Sequence, residues 1–229
     1  GIKMSLIDDS KLKIYTPGVC PTKEKKLNKH QWFLDKCYKL LYPYRGNTMT
    51  AAMFFAYNRD VKTIVETGTT RKFSFEGDGM STYLFGDYCE TLGNSQTKVW
   101  TCDISKENIQ MCKEITKRFK KYISYHVQDS VEFLQNFNQP IDLLYLDSFD
   151  VLPGLEQESA EHNFNEYKAA EPHLHDLSII VIDDYSIEKP GKGRITVPYL
   201  ISKGWTPVLN ERDEHVGKLN QIVLIKGQQ

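Results

Sequence analysis

Acidic residues recur in this chain at the ends of short apolar runs. Glu66 follows Thr63-Ile64-Val65, Asp103 closes Val99-Trp100-Thr101-Cys102, and Asp129 follows Tyr125-His126-Val127-Gln128. Asp147 closes Leu143-Leu144-Tyr145-Leu146, and the pair Asp183-Asp184 closes Ile179-Ile180-Val181-Ile182. One acid after a strand is unremarkable, but carboxylates gathered along one sheet edge repel one another, so a row of them is hard to attribute to the fold alone. Such a row has chemical uses: a carboxylate can accept from the two hydroxyls of a ribose, take a proton from a substrate oxygen, or share a divalent cation. The first acid stands in a loop of small residues, Val65-Glu66-Thr67-Gly68-Thr69-Thr70, and a second cluster, Gly77-Asp78-Gly79-Met80-Ser81-Thr82, follows it. Dinucleotide loops carry several glycines beneath a pyrophosphate, whereas this loop has only Gly68, enough for one tight turn beneath a ligand.

The elements that must carry these residues alternate. Residues 1 to about 27 are polar and broken by Pro17-Gly18 and Pro21, which predicts a loose lead-in. Trp32, Phe33, Cys37, Leu40 and Leu41 recur at helical spacing over His30 to Pro43, and Thr48 to Asp60 predicts a second, mostly buried helix. From Lys62 onward strands and helices take turns. Strands are expected around 62–67, 98–104, 123–129, 141–148 and 178–185, with helices near 81–93, 106–122, 130–137, 158–174 and 195–203. The helix near 106–122 turns Ile109, Cys112, Ile115 and Phe119 to one side. Two closing strands, Thr206 to Glu211 and Asn220 to Gly227, form an expected antiparallel hairpin. Strands joined by helices cross over right-handedly into a parallel sheet covered on both faces, with ligands outside the carboxyl ends of the strands. The predicted fold is therefore α/β, a Rossmann-like doubly wound sheet over residues 61–229, with a helical N-terminal cap over residues 1–60.

Composition narrows the class. A net charge of −1 over 229 residues argues against a dedicated nucleic-acid binder, and Lys23-Lys25-Lys26 and Lys117-Arg118-Lys120-Lys121 read as solvated faces. Five cysteines (Cys20, Cys37, Cys89, Cys102, Cys112) without a CxxC pair give neither zinc spacing nor a disulfide framework, which points to a reducing, cytoplasmic setting. No run approaches the roughly 18 apolar residues of a membrane span. The opening Gly1-Ile2-Lys3-Met4 looks like either a cloning scar or a boundary cut from a longer chain.

Taken together, the loop with Gly68, then Val99 to Ile104, His126 to Ser130, Asp142 to Ser148 and Ile179 to Tyr185 resemble the motif series of class I S-adenosylmethionine-dependent methyltransferases, over roughly Lys62 to the C-terminus. The resemblance implies a seven-stranded sheet with an antiparallel last strand and a cofactor site. Glu66, Thr67, Gly68, Thr69 and Thr70 would line the methionine portion, Ser81 and Thr82 would open the first helix, Asp103 with Ile104 would meet the ribose, and Asp129 and Ser130 would approach the adenine. Taken singly, Asp129 or Ser130 can equally be a helix N-cap and Asp103 a surface acid. Within that family, Tyr145-Leu146-Asp147-Ser148 and Ile182-Asp183-Asp184-Tyr185, followed by Gly191-Lys192-Gly193-Arg194, are similar to metal-dependent O-methyltransferases acting on sugar hydroxyls, as in macrolide-sugar tailoring. That likeness implies a divalent cation, Mg²⁺ or Mn²⁺, on Asp147, Asp183 and Asp184, a glycan or other small hydroxylated acceptor, and a place within a longer glycan-synthesis protein.

Methylating a hydroxyl needs a base or a metal, because a sugar hydroxyl is a weak acid. Asp147 is the first candidate, as base or ligand, with Asp150 and His162 beyond the same strand and able to face the acceptor. His173 and His175 precede the fifth strand and so fall at its wrong end, and His215 sits in the closing hairpin loop. Trp32, Tyr42, Tyr44 and Arg45 of the cap can stack on or hydrogen-bond a sugar, or simply build the cap. Gly191-Lys192-Gly193-Arg194 lacks the Walker spacing and reads as a lid-like turn. The competing readings are a nicotinamide-dependent oxidoreductase, a metal-dependent glycosyltransferase and a non-catalytic cofactor-binding module.

Overall fold

In the computed structural model, which describes residues 29–39, 41, 45–74, 80–185, 191–208 and 220–226, the apolar runs become strands of one sheet. These are β1 (Thr63–Thr67), β2 (Lys98–Asp103), β3 (Ile123–Val127), β4 (Leu143–Leu146), β5 (Ile179–Tyr185), β6 (Trp205–Val208) and β7 (Asn220–Lys226). The seven strands lie in the order β3-β2-β1-β4-β5-β7-β6. β1 pairs in parallel with β2 and β4, β2 with β3, and β4 with β5, while β7 runs antiparallel between β5 and β6. The strand order reverses between β1 and β4, and at such a switch point the loops diverge and open a crevice.

Alternation along the strands divides the core into two layers. Ile64, Leu143, Ile179 and Val181 face one layer, while Val65, Leu144, Ile180 and Ile182 face the other. Each fully buried aliphatic side chain is worth about 1.5–3 kcal/mol, so both faces need a helical cover. The first layer is covered by α1 (Lys29–Trp32, continued by a π-helical turn over Phe33–Lys39), α2 (Gly46–Asn58) and α3 (Ser81–Thr91). The second is covered by α5 (Ser130–Gln135), α6 (Glu156–Ala170) and α7 (Thr196–Ser202). α4 (Lys106–Ile115) lies along β2 and β3.

The N-terminal helices share the core of the sheet rather than resting on it. α2 buries Met49, Ala51, Ala52, Met53, Phe55 and Ala56, which leaves it little polar surface. Trp32 is fully buried, donates from its indole nitrogen to Asp87 at 2.8 Å, and meets Tyr88 edge-on at 5.6 Å. These contacts make Trp32 part of the core and not a sugar platform.

Two helices depart from the pattern expected of the sequence. The helix predicted over 106–122 stops at Ile115, where the Thr116 hydroxyl also bonds back to the Cys112 carbonyl at 2.7 Å, and the chain tightens into a 3₁₀ helix over Lys117–Tyr122, with the Phe119 amide on the Thr116 carbonyl at 2.7 Å. Gly191–Arg194 is likewise a 3₁₀ helix packed on the sheet, not a lid-like turn. The basic cluster at Lys117-Arg118-Lys120-Lys121 is exposed, as a solvated face should be. The four described cysteines are buried and free, and burial pushes their thiols above the usual range. The lead-in, Lys23 to Lys26, Cys20, Tyr42, Tyr44, Gly77 to Gly79 and His215 lie outside the described residues.

Gly68 is set by backbone crowding. Its φ is +77°, and a Cβ there would lie 2.2 Å from the Asp147 carbonyl oxygen. The turn packs directly against the backbone after β4. Gly68→Ala is expected to lower stability by about 3 kcal/mol or more, from strain and overpacking together. The midpoint of urea unfolding measures it, and an unchanged midpoint would refute this account of Gly68.

Candidate active site

The crevice between β1 and β4 has two unlike walls. The first is built of hydroxyls. Glu66, at the end of β1, is fully buried. Its carboxylate accepts from the hydroxyls of Ser81 and Thr82 at the start of α3, and from Thr101 of β2 at 2.7 Å. Thr70 and Thr82 bond reciprocally: the Thr70 amide donates to Thr82 Oγ1 at 3.0 Å, and the Thr82 amide donates to Thr70 Oγ1 at 3.1 Å. Glu66 thus fastens the loop to α3 and β2, so a β1 loop with one glycine still has a fixed shape. Thr67, Thr69, Thr70, Ser81 and Thr82 are all buried within this wall.

At the end of β2, Asp103 is half-buried and turned toward the same loop. Its Oδ1 accepts from the Ser105 amide at 2.9 Å and the Asn108 side chain at 3.2 Å, while its Oδ2 meets the Thr69 amide at 3.4 Å. Ile104 next to it is 77% exposed, an apolar surface at the crevice rim. Asp129 is exposed and caps α5 by accepting from the Glu132 amide at 3.1 Å, so the N-cap alternative describes it. Ser130 points inward, 3.1 Å from His162 Nε2 and 3.5 Å from Ser148 Oγ.

His162, on α6, is the hub of a small polar network. Its Nε2 lies 2.9 Å from Ser148 Oγ and 3.6 Å from Glu166 Oε1, and Ser148 donates to that carboxylate at 3.0 Å. Glu166 is fully buried. Burial raises its carboxyl, against which the charge of His162 and hydroxyls including that of Thr67 act, although the Thr67 hydroxyl closes no full hydrogen bond. Phe149 stacks on His162 at 5.5 Å from a left-handed backbone with φ +62°, a conformation rare outside glycine. Asp150 is exposed, and its pairing with Arg71 at 3.3 Å spans the loops after β4 and β1.

The second wall is charged. Asp147, Asp183 and Asp184 converge, each with one oxygen within 4.8 Å of the others. Two cations are packed among them. Arg45, just before α2, grips Asp183 with two bonds of 3.0 Å, from Nε to Oδ1 and from a terminal nitrogen to Oδ2. Lys192 is fully buried, with its Nζ 2.7 Å from Asp147 and 3.1 Å from Asp184. Burial works against Lys192 and Arg45, but the facing carboxylates outweigh it and hold both protonated. Burial would raise Asp183, yet Arg45's charge and hydrogen bonds bring it down to about 2. Burial raises Asp147 and Asp184, the charge of Asp183 adds to this, and Lys192 opposes it.

The backbone is bent to make this contact. Asp184 has φ +52°, at an irregularity in the β5–β7 pairing between Asp183 and Tyr185. A Cβ on Gly193 would lie 2.7 Å from the Tyr185 ring, so only glycine lets this turn lie flat enough to send Lys192 inward. Three carboxylates by themselves would suit Mg²⁺ or Mn²⁺. With Lys192 bridging two of them and Arg45 holding both oxygens of the third, a divalent cation does not fit. A dication about 4 Å from an ammonium is repelled by roughly 8 kcal/mol at an effective dielectric near 20.

The strand-end acids thus sort by what they touch. Glu66 is bonded by hydroxyls of the fold, Asp129 caps α5, Asp103 faces the β1 loop, and Asp147, Asp183 and Asp184 form the charged wall. Arg45, a candidate sugar contact, is committed to Asp183. His175 pairs with Asp142 at 2.7 Å and His173 meets the Leu134 carbonyl at 3.1 Å, both away from the crevice. Lys192 and Glu166 were not anticipated. The signal for Lys192 was a lysine between two glycines soon after an acid pair; the signal for Glu166 was an acid on the apolar stripe of α6.

Removing Arg45 tests the charge balance. Arg45→Met strands a buried carboxylate and should cost about 3–5 kcal/mol at neutral pH. Asp183 titrates at about 2 in the fold against 3.8 ordinarily, so its stabilisation is present above pH 3.8 and is lost as pH falls toward 2. The gap between Arg45→Met and wild type in urea unfolding should therefore narrow below pH 4. A gap independent of pH would contradict this account.

Comparison with known proteins agrees with the fold. Residues 76–185 match the family model described as a methyltransferase domain. Among solved structures, a methyltransferase from Geobacter sulfurreducens superposes with a TM-score of 0.55 at 13% identity, covering 96% of this chain and 97% of that one. The O-methyltransferase TomG of Streptomyces achromogenes, involved in tomaymycin synthesis and solved with SAM, gives 0.54 at 12% identity, covering 91% and 93%. An O-methyltransferase from Bacillus cereus in complex with SAH gives 0.54 at 14%, covering 90% and 92%. No curated protein matches the chain by sequence. Strand order and structural neighbours agree on the fold of the class I methyltransferases, and residues 76–185 are similar to a methyltransferase domain.

Proposed function

We propose that the chain methylates a hydroxyl oxygen of a small acceptor, a sugar or glycan such as a deoxysugar, with S-adenosylmethionine bound in the crevice between β1 and β4. The observation that carries the cofactor site is the juxtaposition of Asp103 with the β1 loop. Among the described residues Asp103 Oδ2 has one long contact, 3.4 Å to the Thr69 amide, which leaves it able to accept from a ribose, and exposed Ile104 beside it offers an apolar face to an adenine. The β1 loop is the wrong host for a pyrophosphate, because its core is a buried carboxylate, Glu66, under one glycine. That disfavours the nicotinamide alternative. Thr67 to Thr70, with Ser81 and Thr82, line the remainder of the cofactor site, and Ser130 with Asp129 borders the adenine end. TomG and the Bacillus cereus protein, which carry SAM and SAH, support this choice.

When bound, the cofactor supplies an electrophilic methyl group. The chain's own task is to place an acceptor oxygen against it and to receive the hydroxyl proton. Asp147 is the residue proposed to receive it, since it ends β4 at the crevice and its burial favours the protonated carboxyl. His162 and Asp150 border the acceptor side. The sugar preference rests on the likeness of the β4 and β5 ends to sugar-modifying enzymes, and residues 61–229 are proposed as the catalytic domain, with 1–60 as its cap. Divalent assistance is not part of this reading, because Lys192 stands in its place. Among the described residues no helix is long and apolar enough to cross a membrane, and a cytoplasmic setting and a place within a longer glycan-synthesis protein are proposed with the same reading.

Calorimetry separates the cofactors: S-adenosylhomocysteine should bind and NAD should not. Asp103→Ala should weaken S-adenosylhomocysteine about tenfold or more, the loss of one charged hydrogen bond. No binding by the wild-type chain would sink the proposal. Methyl transfer to deoxysugar glycosides, followed by mass, tests the acceptor, and transfer only to catechols would overturn the sugar preference.

A further inference from the structure

We infer that Lys192 is the resident cation of the Asp147–Asp183–Asp184 cluster, so that this site works without a divalent metal and becomes a metal site only when Lys192 is removed. The inference rests on the reading of the crevice as an acceptor site, but its observations are separate. The Lys192 side chain is fully buried, and its Nζ bridges Asp147 at 2.7 Å and Asp184 at 3.1 Å, the two carboxylates that Arg45 does not hold. An ammonium within hydrogen-bond reach of two carboxylates lies between them, on one oxygen of each, where a cation of oxygen-only preference would have to sit.

Local geometry is devoted to that contact. Gly191 has φ +46°, Gly193 has room for no Cβ against Tyr185, and Asp184 adopts φ +52° at an irregular point of β5. A lysine meant for solvent would need none of these. Arg45 completes the arrangement from the opposite side, with two bonds to Asp183. Two cations against three carboxylates leave one surplus negative charge, and four of the six carboxylate oxygens already face Lys192 or Arg45.

The test is Mn²⁺ binding, read from the spectrum of free Mn²⁺ during titration of EDTA-stripped protein. Wild type should bind none at this cluster, and its affinity for S-adenosylhomocysteine and its methyl transfer should be unchanged by EDTA. Lys192→Ala should acquire a Mn²⁺ site, and Lys192→Ala combined with Asp147→Asn should lose it. A wild-type Mn²⁺ site that disappears in Asp147→Asn would overturn the inference, and so would a folded Lys192→Ala that gains none. Should Lys192→Ala not fold, the wild-type titration decides alone. Failure of S-adenosylhomocysteine to bind would instead count against the function proposed above, and leaves the Mn²⁺ result standing.

Discussion

Three carboxylates stand together at the ends of β4 and β5, and the fold closes only because two cations are buried with them. Removing ions from water costs several kcal/mol each, which close pairing must offset. The cations come from distant parts of the chain. Arg45 lies 138 residues before Asp183, and Lys192 lies 45 residues after Asp147. The charge balance of one wall therefore joins the N-terminal helices to the turn before α7. It also explains why α2 must be buried beside β5 and β7: only there does the residue preceding it reach Asp183.

The fold was largely legible because most elements have one-sided or wholly apolar patterns. Ile64-Val65, Leu143-Leu144 and Ile179-Ile180 are buried on both faces, so they read as continuous apolar runs, and their spacing by helices implies a parallel sheet. What was not legible depended on single hydrogen bonds. Nothing in the periodicity of Ile109, Cys112, Ile115 and Phe119 shows that the chain will switch at Thr116 from helical bonding to the tighter bond of the Phe119 amide on the Thr116 carbonyl. The same holds for the π-helical turn at Phe33–Lys39, where the apolar spacing fits a helix of either pitch.

For the site, positions were legible and partners were not. The acids could be placed at the carboxyl end of the sheet because a strand's end follows from its pattern. Whether an acid faces a ligand, a helix or an arginine depends on residues brought in by tertiary packing. Glu66 looks open in sequence, yet hydroxyls from α3 and β2 surround it. Asp147, Asp183 and Asp184 look like a metal set, and they do converge, but the lysine that meets them sits in a segment whose glycines suggest a loose turn. Clustered carboxylates do demand a cation; sequence alone does not say whether metal or side chain supplies it.

The two walls of the crevice are rigidly connected through backbone. The Asp147 amide donates to the Thr67 carbonyl at 3.0 Å, the Gly68 amide donates to the Cys102 carbonyl at 2.9 Å, and the missing side chain of Gly68 lets the Asp147 carbonyl approach. The loop that would hold a methyl donor and the carboxylate that would receive a proton thus share one contact between adjacent strands. A displacement of either by an ångström would be transmitted to the other, and in-line transfer is intolerant of such shifts. The single glycine of the β1 loop is then better understood as the point of close backbone contact between the two walls than as the remnant of a phosphate-binding fingerprint. With neutralising charge supplied by Lys192 and Arg45, both walls are fixed by the protein's own atoms before any ligand arrives, which is the preorganisation that catalysis by positioning requires.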